Sequence, residues 1–174
     1  MRIAKAKLAQ ATLAALLVFV GPVHAQEPCD TAGPTFSSIS HALAEIDRAF
    51  ATGDPAIVAE IVTEDVVWMP PEKAMLHGRQ AVEEYYRELF DELHGRFTEI
   101  THSMEAEEVC VCSGWAMARG TYQLTLVLPT VPEPIKVTGK NVHAYRQQPD
   151  GSWLISSDIW NTDAPVRRGP PGGI

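Results

Sequence analysis

The sequence predicts an α+β domain in which three N-terminal helices cover one face of a strongly curved antiparallel or mixed sheet. Three observations lead there. Helical spacing of apolar residues is confined to the first half of the chain and stops near Gly95. Beyond that point the pattern turns alternating, β-branched and aromatic. The last such stretch, GKNVHAYRQQPDGSWLISSDIWN from Gly139 to Asn161, reads as a closing hairpin around a Pro-Asp-Gly turn. Helices first and strands after, with no repeat and no second block, give one α+β unit. A sheet curved in this way leaves a cone-shaped cavity under its helices.

The chain opens with Arg2, Lys5 and Lys7 ahead of an apolar run from Leu8 to Val20, ending in Val23-His24-Ala25. That is the pattern of a secretory signal peptide over residues 1–25, and the run is too short for a stable span. Gln-Glu-Pro ahead of Cys29 is unlike a lipoprotein signal. The expected product is therefore soluble and exported, to the periplasm or the extracellular space.

Residues 26–35 form a polar lead-in. Ile39, Leu43, Ile46 and Phe50 then recur at helical spacing from Phe36 to Ala51, and Gly53 stops that helix. Asp54-Pro55 supplies an N-cap and a first-turn proline for a short second helix through Val62. Asp65 to Met69 reads as a strand halted by Pro70-Pro71, with a loop from Pro70 to Gly78. From Arg79 to His94, Val82, Tyr85, Tyr86, Leu89, Phe90 and Leu93 make one wide apolar stripe, ended by Gly95. Its two tyrosines read as packing residues.

Four strands are expected after Gly95: Phe97–Val111, Trp115–Leu128, Ile135–Arg146 and Trp153–Trp160, with a turn over Pro129–Pro134. The domain so defined spans residues 36–163. Residues 164–174, rich in proline, glycine and arginine, read as a disordered tail.

Without residues 1–25, 11 basic residues face 22 acidic ones, a formal charge of −11. Nucleic acid and anionic membrane surfaces are poor partners for such a chain. Of the three cysteines, Cys110 and Cys112 lie two apart on one strand, a spacing unsuited to a mutual disulfide. Cys29 tied to either one is the natural alternative in an oxidising compartment. No histidine pair accompanies the CxC at zinc-ligand spacing, so no metal is expected. The six histidines are scattered singly, and each reads first as a surface or satisfied residue.

Alternation along the closing hairpin groups Asn141, His143 and Tyr145 on one face of the first strand. It groups Ser156, Asp158 and Trp160 on one face of the second. Such a face is either wetted by solvent or lines a pocket. A one-residue slip of register would turn all of these groups to the other side.

AFATGDPAIVAEIVTEDVVWMPP, followed by LHGRQAVEEYYRELF, resembles the first half of a SnoaL-like, ketosteroid-isomerase-like domain of the nuclear transport factor 2-like superfamily. The Gly139–Asn161 hairpin resembles its closing hairpin, and the likeness extends over about Phe36 to Asp163. It implies a cystatin-like cone of helices on a curved sheet, dimerisation through the open sheet face, and no cofactor. It also implies a range of activities, from isomerases, cyclases, dehydratases, epoxide hydrolases and lyases to non-enzymatic ligand binders. By ungapped count the isomerase's aspartate base falls on Pro70 and its helix-one tyrosine on Ile46. Neither side chain can do that chemistry, so ketosteroid isomerisation is not expected. The isomerase's protonated aspartate falls on His143.

The same count turns Asp158 and Trp160 toward a pocket, with Tyr145 on His143's face. His143 oriented by Asp158 would make a general acid/base pair. Trp68, Tyr145, Trp160 and Asn141 are the candidate substrate-binding residues around it. His143 could instead be a satisfied polar residue, and Asp158 could pair with Lys140 or Arg146. Arg119 reads as a surface residue. Two functions follow: a cofactor-independent acid/base enzyme (isomerase, lyase, dehydratase or cyclase) on a small apolar or aromatic molecule, or a ligand-binding protein without turnover. A close His143–Asp158 contact in a closed apolar cavity favours the enzyme; a wide, wet separation favours binding alone.

Overall fold

A computed structural model describes residues 33–164. The expected signal peptide, most of the lead-in, the tail from residue 165 and Cys29 fall outside them. The described chain runs α1 (Pro34–Thr52), α2 (Pro55–Glu60), β1 (Val62–Met69), β2 (Leu76–His77), α3 (Arg79–Arg96), β3 (Glu99–Cys112), β4 (Trp115–Leu128), β5 (Val131–Gln147) and β6 (Trp153–Thr162).

Local chemistry sets the helix ends. Gly53 closes α1 in the left-handed conformation, φ 72°, its N–H bonded to the Ala49 carbonyl. Asp54 caps α2 by accepting from Ala56 N at 3.0 Å. That helix stops at Glu60, short of the expected Val62, because Ile61-Val62-Thr63 is β-branched and Val62 already pairs with Ile155. Gly95 does not end α3. The helix continues to Arg96, and buried Phe97 closes it by donating to the Leu93 carbonyl at 2.9 Å.

The six strands form one sheet in the order β2-β1-β6-β5-β4-β3. Only β1 and β6 run parallel, so the sheet is mixed. It stays open, with β2 and β3 as its edges. The expected loop after Pro70 contains β2, two residues paired to Val67 and Trp68. The expected six-residue turn after Leu128 shrinks to Pro129-Thr130, and Pro132 and Pro134 lie within β5. That part of β5 has β4 on one side only, since pairing with β6 begins at Gly139. A free edge tolerates residues that lack an N–H.

The closing hairpin forms as the turn residues dictate. Gly151 takes φ 87° and donates to the Gln148 carbonyl at 2.9 Å, while Asp150 accepts from Ser152 N. On the inner face, Ile39, Leu43, Ile46, Val58, Val66, Trp68, Val82 and Ile155 are buried. Each such side chain contributes about 1.5–3 kcal/mol of burial free energy.

Candidate active site

Register decides which side chains meet. Asp158 is paired with Trp68 on one side and with His143 on the other, and His143 is in turn paired with Ala118. The inward parity of β6 changes midway: Trp153 and Ile155 point in, and so do Asp158 and Trp160. A bulge between Ala144 and Tyr145 absorbs the extra residue, Ser156, whose hydroxyl donates to the Ala144 carbonyl at 3.1 Å. Without that bulge Asp158 would face outward.

His143 Nε2 lies 2.9 Å from Asp158 Oδ1, both side chains at 5 % exposure or less. The approach is off the line of a straight N–H···O bond. On the other side of the ring, Asn141 Nδ2 donates to His143 Nδ1 at 2.9 Å. That bond leaves Nε2 as the proton-bearing nitrogen, aimed at the carboxylate. Lys140 and Arg146, the alternative partners for Asp158, instead pair with Asp163 and Asp65. Arg119 is exposed and pairs with Glu107 and Glu108.

A cavity of about 300 Å³ lies between α1, α3 and the inner face of the sheet. Of the six residues singled out in the sequence, Asp158 and Trp160 line it. His143, Tyr145, Trp68 and Asn141 are buried behind that wall. Trp68 touches Trp160 edge to face with ring centroids 6.0 Å apart, and so backs the wall that Trp160 forms.

A second histidine reaches the cavity directly. His102 on β3 lines it, its ring stacked on Phe50 with centroids 4.1 Å apart. Its Nδ1 is 2.7 Å from Asp47 Oδ1 on α1, and the Met104 N–H approaches Asp47 Oδ2 at 3.4 Å. A carboxylate only accepts, so Nδ1 carries a proton and, in the neutral ring, the lone pair is on Nε2. Nε2 has no hydrogen-bond partner among the described residues. Sequence reasoning passed over this pair. Parity held the signal, because His102 alternates with Ile100, Met104 and Ala106, all turned toward the core.

Four tyrosines surround these groups. Burial raises the Tyr85 hydroxyl to about 12, with the negative charge of Asp158 adding to it. The same two causes raise Tyr86 and Tyr145 well above the ordinary phenol. Tyr122 is raised too, first by burial and then by Asp163 and Asp158. All four stay protonated near neutrality and can donate hydrogen bonds but not serve as bases. Among the described residues no three His, Cys, Asp or Glu side chains converge to hold a metal ion.

Residues 43–154, most of this architecture, match the model of the SnoaL-like domain. The chain belongs to the SnoaL-like family. A comparison with curated proteins gave no match. Among solved structures, the chain is similar to an NTF2-like protein with a cystatin-like fold from Novosphingobium aromaticivorans, at 17% identity and TM-score 0.66, over 75% of this chain and 82% of that one. It is similar to ActVI-ORFA from Streptomyces coelicolor, at 16% identity and TM-score 0.66, over 75% and 98%. It is also similar to LinA, at 17% identity and TM-score 0.64, over 79% and 95%. At such identities the likeness carries the fold. Within this SnoaL-like fold, the two His–Asp pairs are what this chain's own residues bring to the cavity.

Proposed function

We propose that this SnoaL-like chain is a cofactor-independent acid/base enzyme acting on a small apolar or aromatic molecule, of isomerase, lyase, dehydratase or cyclase type. The observation that carries the reading is the 2.7 Å contact of His102 Nδ1 with Asp47 on a ring that lines the cavity, which makes Nε2 the basic nitrogen of the neutral ring. In this mechanism Nε2 takes a proton from substrate carbon or oxygen, and Asp47 stabilises the imidazolium that forms. Asp158, facing the same cavity, is the second proton carrier. His143 acts through Asp158 by holding the carboxylate in place, a positioning role in place of direct contact with substrate. Tyr85 and Tyr122 supply hydroxyl donors to a substrate oxygen, and Trp160 supplies an apolar wall.

The apolar lining and the close His143–Asp158 contact favour turnover over binding alone. The test is a turnover screen of small aromatic and carbonyl compounds, first selected by thermal shift. Activity on a hit that survives both His102→Gln and Asp158→Asn overturns the mechanism. Hits that bind without turning over in the unaltered protein point to the ligand-binding role.

We further propose that the protein is exported and pairs with a second copy. Cys110 is disulfide-bonded while Cys112 is free, which suits an oxidising compartment. Met117, Val142 and Ile159 leave apolar surface exposed on the outer face of three neighbouring strands, which suits a homodimer. Fractionation of the native host and sedimentation of the purified chain test the two statements.

A further inference from the structure

The cavity combines a carboxylate with no counter-cation of its own kind. Its wall includes Asp158, and Asp47 stands directly behind His102. No lysine or arginine lines it among the described residues. Outside the lining, Arg119 pairs with Glu107 and Glu108, Lys140 with Asp163, and Arg146 with Asp65, while exposed Lys73 sits over the ring of Tyr85 at 5.0 Å from its centroid. The remaining partner of Asp158 is His143, which lies behind the wall with no surface to offer a ligand.

The tyrosines report the same field, Tyr85, Tyr86 and Tyr122 from the lining and Tyr145 from behind it. Tyr85, Tyr86, Tyr122 and Tyr145 all have Asp158 among the causes that hold their protons on. A ligand anion placed beside those hydroxyls meets the same carboxylate and the same loss of water. Size sets a second limit. A cavity of about 150 Å³ takes one benzene ring, so the space of about 300 Å³ suits two fused rings.

We infer that the cavity selects an uncharged two-ring aromatic or carbonyl compound, and that Asp158 is the residue that rejects carboxylate and phosphate analogues of the same shape. This rests on the reading of the cavity as the ligand site, and it adds a second role to a residue already assigned a proton. It does not depend on turnover.

The test measures binding of β-naphthol and β-naphthoate by calorimetry at mildly alkaline pH, where imidazole charge contributes least. The two share a ring system and differ in charge. β-Naphthol is expected to bind at least about tenfold more tightly, a gap of about 1.4 kcal/mol. In Asp158→Asn, which keeps shape and removes charge, the gap should shrink at least threefold through tighter β-naphthoate binding. Equal or tighter binding of β-naphthoate to the unaltered protein overturns the inference, as does failure of both compounds to bind. A gap unchanged in Asp158→Asn overturns the role of Asp158. Because the readout is affinity, the gap can hold where catalysis is absent, and catalysis can persist where the gap is missing.

Discussion

His102 and Asp47 are separated by 55 positions in sequence, yet Nδ1 and Oδ1 stand 2.7 Å apart across the packing of β3 on α1. The contact fixes the tautomer, and the tautomer decides what the ring can do. Asp47→Asn keeps the side chain's size while allowing its amide to donate to Nδ1. That reverses the tautomer and moves the lone pair to Nδ1. The expected result is a fall in kcat of about 10²–10⁴-fold with KM changed little. Steady-state kinetics on the first substrate found, with circular dichroism to confirm the fold, checks it.

The His143–Asp158 pair is coupled through burial, and the coupling is measurable without a substrate. Replacing either partner leaves the other buried and unpaired, which costs about 1.5–3 kcal/mol. The double variant His143→Leu with Asp158→Asn is expected to cost less than the two single costs added together, by at least about 1 kcal/mol. Urea denaturation of the four proteins in the cycle gives the number. Strict additivity would show that the two side chains, though adjacent, do not act as a pair.

Both pairs were unequally legible in the sequence. His143 and Asp158 lie on adjacent strands joined by one turn, so parity and a short connection bring them into register. Even there the agreement needed the Ser156 bulge, which no residue type announces, because Ile155 and Asp158 point inward from opposite parities. Asp47 and His102 meet only through tertiary packing of a helix on an edge strand. Neither carries a local pattern beyond inward parity. The helices were legible because apolar spacing and the Gly53 and Asp54 caps agree. The start of β5 was not, since its prolines are tolerated only by an unpaired edge that the sequence does not reveal.

Gly139 is required by a close approach. A Cβ there would stand 2.2 Å from the Asn161 carbonyl oxygen and 2.4 Å from the Tyr122 ring. Gly139→Ala therefore forces β5 away from β6 or moves a cavity-lining tyrosine. A loss of about 1–3 kcal/mol is expected, together with weaker binding of any cavity ligand. Adding Tyr122→Ala should return only part of the stability, because the backbone clash with Asn161 persists. Thermal melts of the two variants and the parent decide the matter.

The tyrosines make alkaline stability a readout of the same interior. Tyr85 is held at about 12 in the fold, against about 10 in an unfolded chain. A raised folded value means that the native state keeps a proton the unfolded state gives up. The stabilisation is complete below about pH 10 and is lost as pH rises toward about 12. For Tyr85 alone that is about 2–3 kcal/mol. Tyr86, Tyr122 and Tyr145 shift in the same direction and add to it. These four are all the tyrosines in the chain. Tyrosinate absorbance should therefore stay flat past pH 10 and then rise together with the loss of far-ultraviolet ellipticity. In Asp158→Asn the phenols should ionise at lower pH, ahead of the loss of ellipticity, since one cause of the raised values is gone. Ionisation of any two tyrosines near pH 10 with ellipticity intact would contradict the buried, carboxylate-facing arrangement of these rings.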